Sequence, residues 1–416
     1  MTISEKILAR AAGKDEVKAG DIIDARVDLT MSHEGTAGVI QKFLAMGGEE
    51  VWDNRRMVVL MDHWAPAHTE QMAEMHREIR RFCKAQGIVH FYDIFEGICH
   101  QVLPEKGHIV PGELVVGTDS HTTTYGAFGC FSTGIGTTEM AAVFLEGKIW
   151  LKVPSTIRFT IEGDLPEFVT SKDIILWIAG EFGTEVATYK AVEFSGETVS
   201  SMTISERMTL TNMAVELGAK TGLVKPDYKV VEYLRGRTTK EVLLIDNDAD
   251  AIFEDEHKLT VNNLRPQVAC PHNPGNVKPV DEVSDIRINQ AFIGGCTNGR
   301  LEDIAVAAKI IKGHRIPSDV RLIIIPASRE VYQSAMQQGL LQTLLEAGGI
   351  ICHPTCGPCI GAQLGLLASG EVCIATTNRN FRGRMGSQEA EIYLASPAVV
   401  AASAVAGRII APEEVV

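Results

Sequence analysis

Two cysteines near the carboxyl end of the chain have a spacing that is common in metal sites and redox pairs. Cys356 and Cys359 stand in the segment TCGPCIGA, and a third cysteine, Cys296, stands in FIGGCTNGRLEDI. Cysteines separated by two residues occur in disulfides, zinc sites, thioredoxin-like motifs and iron–sulfur sites. The spacing alone therefore leaves four kinds of chemistry open.

Each of these alternatives makes a demand on the rest of the chain. A structural zinc site normally has four ligands, and His353 is the candidate for the fourth. A thioredoxin-like pair requires a small βαβ fold, which the segment fits in part.

Three buried structural thiols are the simplest alternative. Against it, the surrounding glycine and proline residues allow the backbone to approach a bulky inorganic group. Cys296 and Cys359 are also predicted to open helices, whose amino-terminal amides favour thiolates. The remaining cysteines are predicted to lie in the core: Cys83, Cys99, Cys130, Cys270, Cys352 and Cys373.

The elements that must position these cysteines alternate between apolar strands and amphipathic helices, which predicts an α/β fold. The predicted strands are Met57–Met61, Leu114–Val116, Ala291–Ile293, Leu322–Ile325, Ile350–Cys352 and Val372–Ala375. The predicted helices are Thr69–Gln86, Thr137–Lys148, Leu301–Lys312 and Arg329–Ala347.

Polar residues follow directly on several of the predicted strands. VVLM is followed by Asp62-His63, LVVG by Asp119-Ser120-His121, AFIGG by Cys296-Thr297-Asn298, and VCIATT by Asn378-Arg379. Ligand sites of open α/β sheets form beyond the carboxyl ends of the strands. The pattern therefore predicts one shared site, assembled from segments that are distant in sequence.

Two breaks in the pattern divide the chain into three predicted domains, residues 1–153, 154–283 and 284–416. One break lies near Val153-Pro154, where the strand-like segment TIRFTIEG begins. The other is Pro271–Val283, which is rich in proline, asparagine and glycine and lacks periodicity.

Composition narrows the possible partners and the location. A formal net charge of −14 disfavours nucleic acid and anionic membranes as general partners. No apolar stretch approaches the roughly 18–20 residues that span a bilayer. The first residues lack a secretory apolar region, which predicts a cytoplasmic location. Nine cysteines, an odd number, argue against a disulfide framework.

Four long segments, taken together, resemble the aconitase family of iron–sulfur hydro-lyases: IGGCTNGRLED, TCGPCIGA, TTNRNFRGR and GTDSHTTTYGAFGCFSTGIGTTE. The resemblance runs from Asp28 to about Arg384. It implies three α/β/α sandwich domains around a central cluster cleft, with the family's swivel domain absent. It also implies a [4Fe–4S] cluster held by Cys296, Cys356 and Cys359, with one iron left open for substrate.

The resemblance further implies an acid–base set: Asp62, His63, His100, Asp119, Ser120, His121 and Glu216. Asp62 and His63 would protonate the departing hydroxyl, and Asp119, Ser120 and His121 would surround water and substrate at the open iron. Taken singly, each histidine is better explained as a structural or surface residue, and only the combined motif favours catalysis.

Further residues are implied to bind the substrate or to support the cluster. Arg379 and Arg384 would bind substrate carboxylates, which suit the guanidinium fork. The cluster-supporting residues would be Asn212, Asn298 and Asn378. Asn212 and Glu216, four residues apart, are predicted to share one helical face. The alternative for NRNFRGR, a basic patch for RNA, lacks an aromatic stacking array.

The same resemblance implies a separate small subunit, which carries the swivel domain and a serine base, and a 2-hydroxy diacid substrate. Interconversion of 2- and 3-isopropylmalate in leucine biosynthesis is the first candidate activity. Hydration of homoaconitate, citraconate or dimethylmalate is the alternative, and an iron-responsive RNA-binding regulator is the alternative of a different class. Gly38 and Glu185-Val186 depart from the family pattern.

Overall fold

The computed structural model describes all 416 residues. The first section of the chain is built on a parallel five-stranded sheet of order β4-β3-β2-β5-β6, with β1 and β7 paired antiparallel beside it. Its strands are β1 (Ile22–Arg26), β2 (Leu29–Ser32), β3 (Met57–Leu60), β4 (His90–Tyr92), β5 (Leu114–Gly117), β6 (Phe131–Gly134) and β7 (Lys148–Lys152). Its helices are α1 (Ile3–Ala12), α2 (Thr36–Ala45), α3 (Glu70–Ala85), α4 (Cys99–Glu105) and α5 (Thr137–Glu146), with a 3₁₀ helix at Ser120–Phe128.

The second section is a parallel four-stranded sheet of order β10-β9-β8-β11. Its strands are β8 (Thr156–Glu162), β9 (Ala191–Ser195), β10 (Thr221–Val224) and β11 (Asp255–Thr260). Its helices are α6 (Ser171–Phe182), α7 (Glu197–Ser201), α8 (Ile204–Met213) and α9 (Tyr228–Leu234), with a 3₁₀ turn at Ala214–Leu217.

The third section is a mixed seven-stranded sheet of order β13-β12-β18-β17-β14-β15-β16. Its strands are β12 (Gln267–Ala269), β13 (Val277–Pro279), β14 (Gln290–Ile293), β15 (Arg321–Ile324), β16 (Ile350–Ile351), β17 (Val372–Ala375) and β18 (Glu391–Ala395). Its helices are α10 (Gly295–Asn298), α11 (Leu301–Ile311), α12 (Arg329–Gln337), α13 (Leu340–Glu346) and α14 (Pro397–Ala406). Shorter 3₁₀ turns lie at Val280–Glu282, Gly357–Ile360 and Pro412–Glu414.

The α/β class and all six predicted strands are confirmed, with ends shifted by a residue at several positions. The helix predicted over Arg329–Ala347 is wrong as a single element. Gly339, whose φ of 72° lies in the left-handed region, ends α12 and starts α13.

The aperiodic segment Pro271–Val283 lies partly in a hairpin. Its strand β13 pairs antiparallel with β12, and β12 pairs with β18 of the third sheet. Both β12 and β13 therefore belong to the third sheet, although they lie within residues 154–283 of the predicted second domain. The aperiodic residues between them form the turn that joins these two neighbouring strands. The domain boundaries at 153 and 283 stay a prediction.

Hydrophobic cores of different sections meet at Cys296, Cys356 and Cys359. Cys356 and Cys359 belong to the core that joins the second and third sheets, which also contains Phe194 and Phe292. Cys296 packs into a core of the first section beside Tyr125. No helix of the chain is both long enough and apolar enough to cross a membrane.

The first and second sections approach each other closely at two glycines. Gly126, in the 3₁₀ helix Ser120–Phe128, packs directly on Gly222 of β10, so that a Cβ at Gly126 would lie 1.6 Å from the Gly222 carbonyl oxygen. This contact sets the position of the 3₁₀ helix, which carries Ser120 and His121.

Replacing Gly126 by alanine is expected to lower the free energy of unfolding by about 3 kcal/mol, because rigid backbone on both sides must move to admit the methyl group. The measurement is the midpoint of urea unfolding. Gly38→Ala is the matched control, since Gly38 lies inside α2 with no atom closer than 3.5 Å to its added Cβ. The control should be neutral or stabilised by up to about 1 kcal/mol, and equal midpoints for the two variants would contradict the close-approach argument.

Candidate active site and thiol cradle

Three cysteine side chains from two turns of the third section converge, and we call Cys296, Cys356 and Cys359 the thiol cradle. Cys296 lies in the single turn α10 after β14, and Cys359 lies in the 3₁₀ turn Gly357–Ile360. All nine cysteines are free thiols, and the three of the cradle are buried. The alternative of a disulfide is therefore not seen.

One side-chain amide, that of Asn378, contacts two of the three sulfurs. Its Nδ2 lies 3.4 Å from Cys296 Sγ, and its Oδ1 lies 3.7 Å from Cys359 Sγ. Asn212 Nδ2 lies 3.1 Å from the same Cys296 sulfur and so gives it a second N–H donor. These contacts show that residues far apart in sequence do form one site.

The charge state of the cradle differs between its sulfurs. The hydrogen bond from the Cys356 thiol lowers the pKa of Cys359 to about 5 against the opposing effect of burial, and Arg384 also favours the thiolate. Burial and the neighbouring charge of Cys359 raise the pKa of Cys296 to about 12. A cation bound between the sulfurs would remove this conflict, because it stabilises all three thiolates at once.

The donors around the cradle fit an anionic iron–sulfur group held by three thiolates. Arg300 is buried and donates from its guanidinium to the Cys296 carbonyl at 2.7 Å and to the Thr297 carbonyl. The Cys356 amide donates to the Asp62 carbonyl at 2.8 Å. Both cysteine turns are thus fixed through hydrogen bonds of their main-chain groups, and the sulfurs remain available as ligands.

His353, the candidate fourth ligand of a zinc site, has its Nε2 2.9 Å from the Ala65 carbonyl oxygen. Asn298 Nδ2 donates to Asp303 at 3.0 Å and so supports the turn after Cys296. Its role in supporting a cluster stays a prediction.

The spacing of Asn212 and Glu216 predicted that they share one helical face, but the two residues lie in different elements. Helix α8 ends at Met213, and Glu216 lies in the following 3₁₀ turn, which Gly218 closes with a φ of 83°. The tighter turn changes the direction of Glu216. Both side chains still reach the site, Asn212 at Cys296 and Glu216 at His121.

Asp119 is the centre of a buried acid–base network beside the cradle. Its Oδ1 lies 2.9 Å from His100 Nε2 and accepts the His121 amide at 2.7 Å, and its Oδ2 lies 3.5 Å from His63 Nε2. Burial raises the pKa of Asp119, but hydrogen bonds from the three histidines outweigh it and hold that pKa well below its usual range. Asp119 is therefore ionised at neutral pH.

The network extends in two directions from Asp119. On one side, His63 Nδ1 lies 2.6 Å from Asp62 Oδ1. On the other, His121 Nε2 lies 2.9 Å from Glu216 Oε1, which also accepts from Arg379 Nε at 2.7 Å. Groups of opposite charge thus alternate along a chain of contacts.

The carboxylates decide the protonation of the two outer histidines. Burial disfavours the charged form of His63, but Asp62 and Asp119 outweigh it and raise the pKa of His63 well above its usual range. Burial also disfavours the charged form of His121, but Asp119 and Glu216 outweigh this effect and raise the pKa of His121. Both imidazoles can therefore hold a proton at neutral pH and donate it to a bound group.

A cavity of about 630 Å³ opens onto this network. Its wall includes His63, Asp119 and Ser120 of the first section and Arg379 and Arg384 of the third. Arg384 Nε has no hydrogen-bond partner within the protein. The cavity thus presents proton donors and guanidinium groups to a small anionic molecule.

Comparison with known proteins gives consistent matches over almost the whole chain. Residues 5–285 and 278–407 match the Aconitase family (aconitate hydratase). The chain is 54% identical over 412 residues to a protein of Methanopyrus kandleri named 3-isopropylmalate dehydratase large subunit 1, covering 99% of this chain and 98% of that protein. Two proteins of Methanothermobacter thermautotrophicus are also similar to this chain. The first, named probable 3-isopropylmalate dehydratase large subunit, is 53% identical, with 99% of each chain covered. A probable methanogen homoaconitase large subunit is 50% identical, with 100% of this chain and 98% of that protein covered.

Glu34 is a site residue that the sequence analysis missed. It follows β2 as Asp62 follows β3, so the same strand-end rule could have found it. Its buried carboxylate accepts the amides of Asp62 at 3.3 Å, His63 at 3.1 Å and Trp64 at 2.9 Å. Glu34 therefore fixes the backbone that carries the Asp62–His63 pair.

Glu34→Gln is expected to destabilise the chain by about 3 kcal/mol at pH 7. Burial opposes ionisation of Glu34, but the adjacent imidazole of His76, the charges of His63 and His33 and the Trp64 amide lower its pKa from 4.5 to about 2. A carboxyl group with a depressed pKa stabilises the fold fully above its unfolded pKa, and this stabilisation is lost as the pH falls through its folded pKa. The deficit of the variant should therefore be full above about pH 5 and shrink as the pH falls towards 2.

Urea unfolding of wild type and variant between pH 3 and pH 7 measures this difference. Glu254→Gln is the control, since Glu254 is an exposed carboxylate paired with Lys190 and should show little effect at any pH. A Glu34→Gln deficit that does not change with pH would contradict the assignment of an ionised Glu34.

Proposed function

The chain belongs to the aconitase family, and from this premise we propose that it is the large subunit of a hydro-lyase that interconverts 2- and 3-isopropylmalate. The observation that carries the proposal is the contact of Asn378 with both Cys296 and Cys359, next to a cavity lined by histidine, aspartate and arginine. A redox pair requires no third cysteine, and neither a redox pair nor a structural zinc site requires the acid–base network beside it.

The three thiols of the cradle would hold a [4Fe–4S] cluster. When bound by three thiolates, such a cluster supplies an iron with an open position, which acts as a Lewis acid towards the hydroxyl group of a 2-hydroxy acid. Asn212 and Asn378 would donate N–H bonds to Cys296, and Arg300 would hold the turn of that cysteine. Such outer contacts orient metal ligands and stabilise their charge.

Dehydration requires a proton for the departing hydroxyl, and His63 is the donor that the geometry favours. It lines the cavity, and the carboxylates of Asp62 and Asp119 keep it protonated. His121 has the same charge state and is fixed by Glu216. His100 orients Asp119 from the buried side.

The substrate carboxylates would bind the two arginines of the cavity. Arg384 has a free Nε, and Arg379 is held in place by Glu216. Ser120, which begins the 3₁₀ helix beside Asp119, lines the same wall and offers a hydroxyl group. This chain thus supplies anion binding and proton donation.

We further propose that the base that removes the carbon-bound proton comes from a separate small subunit. The relatives of similar length are named large subunits. A partner that covers the cavity would close it and exclude water from the reacting groups. A homoaconitase activity is the second candidate, favoured by the 50% identity to a relative of that name.

Serine substitution of any one cradle cysteine should abolish both the cluster and turnover. The tests are anaerobic reconstitution with iron and sulfide, read by absorption and electron spin resonance, and an assay with a small subunit on isopropylmalate and homocitrate. Cys83→Ser is the control, because Cys83 is a buried core thiol of α3, and it should keep both properties. Wild-type iron and sulfide content in Cys296→Ser would reject the ligand assignment.

Asp62→Asn should shift the alkaline limb of activity to lower pH by about one unit. His63 must be protonated to act, and the charge of Asp62 is the largest of the effects that raise its pKa. Activity falls as the pH rises through that pKa, so a lower pKa moves the fall to lower pH. Histidine NMR titration of the cluster-free chain gives an independent readout, with Asp93→Asn as a control for a carboxylate paired with Arg80 away from the cavity. An unchanged titration of His63 in Asp62→Asn would be inconsistent with the role of the pair.

A further inference from the structure

Lys172 is a fully buried lysine for which the proposed mechanism has no use. It stands in the first turn of α6, and its side chain has no exposed surface. Its Nζ donates to the Thr376 carbonyl at 3.0 Å and to the Thr377 carbonyl, and no ion pair of the molecule includes it. A buried ammonium without a carboxylate partner is costly, which calls for a compensating negative charge.

The segment that Lys172 holds is the one that reaches the thiol cradle. Thr376 and Thr377 directly precede Asn378, whose amide contacts Cys296 and Cys359. The Thr376 carbonyl also accepts the Thr297 hydroxyl at 2.7 Å, next to Cys296. Lys172 therefore connects α6 of the second section to both cysteine-bearing parts of the third.

Thiolates in the cradle are the first groups whose charge would act on Lys172. Burial lowers the pKa of Lys172 to about 7, and the groups that oppose this effect are Cys296 and Cys359, followed by Asp173 and Asp303. An apolar side chain would fill the same space without a desolvation cost. An anion bound in the cradle would account for a protonated Lys172.

We propose that Lys172 is the counter-charge of the thiol cradle, a positioning residue that holds the Asn378 segment and stabilises a cluster bound by three thiolates. This inference rests on the proposed function, since it requires the cluster. A buried positive charge favours addition of an electron to a nearby anionic group. Lys172 should therefore both slow the loss of the cluster and raise its reduction potential.

The test compares Lys172→Met, Lys172→Gln and Lys172→Arg in the reconstituted full chain. Two quantities are measured, the rate of cluster loss to excess EDTA and the reduction potential from a titration followed by spin resonance. The matched control is Lys229→Met. Lys229 also donates to main-chain carbonyls, those of Ser200, Ser201 and Met202, and it is half-buried on the surface of α9.

Lys172→Met and Lys172→Gln should lose the cluster about 10–100-fold faster than wild type and show a more negative potential. Lys172→Arg should restore most of the potential, and Lys229→Met should match wild type in both readouts. If Lys172→Met does not fold, Lys172→Gln carries the comparison, because it removes the charge and keeps an N–H donor.

Several results would overturn the inference. Equal retention and potential in wild type and Lys172→Gln would do so, as would a folded Lys172→Arg with the potential of the neutral variants. An equal effect of Lys229→Met would show that any lost lysine weakens the chain. A wild-type chain that takes up no cluster would instead reject the proposed function, and this inference with it.

Discussion

Contact of one asparagine amide with two cysteine sulfurs is the constraint on which the site depends. Asn378 reaches Cys296 with its nitrogen and approaches Cys359 with its oxygen, so the ends of β14 and β17 and the turn after β16 must stay in register. That register is set by parallel pairing of β14 with β17 and β15. A slip of one residue would turn every side chain to the other face of the sheet and would separate the sulfurs.

Burial of many ionisable groups in one place is tolerated because their charges alternate. Asp62, His63, Asp119, His121 and Glu216 follow one another as anion, cation, anion, cation and anion, and Arg379 ends the series. Each group offsets part of the desolvation cost of its neighbours, as buried charges require. The same alternation fixes the protonation state of each imidazole, so that stability and acid–base readiness have one electrostatic origin.

Much of this arrangement could be predicted from the sequence, because polar residues at the ends of apolar strands are a local pattern. That rule located Asp62, Asp119, Cys296 and Asn378. It could not assign Lys172, a charged residue at the start of α6 that would pass for a solvated residue until its tertiary contacts are known. Nor could it place Glu216, since the change from α-helix to 3₁₀ turn after Met213 depends on how the chain closes at Gly218.

The charged groups of the cavity suit what all 2-hydroxy diacids have in common, namely carboxylates and a hydroxyl group. They do not distinguish an isopropyl group from a longer acidic side chain, because few of the cavity's side chains are apolar. Discrimination by one or two methyl groups is worth only about 1–3 kcal/mol, which a few apolar or basic side chains on a covering surface can supply. A chain that fixes the chemistry and leaves the side group to its partner could therefore serve different substrates with little change in its own cavity. Under the proposed function, this division would account for the similar identities, 53% and 50%, to relatives named for two different substrates.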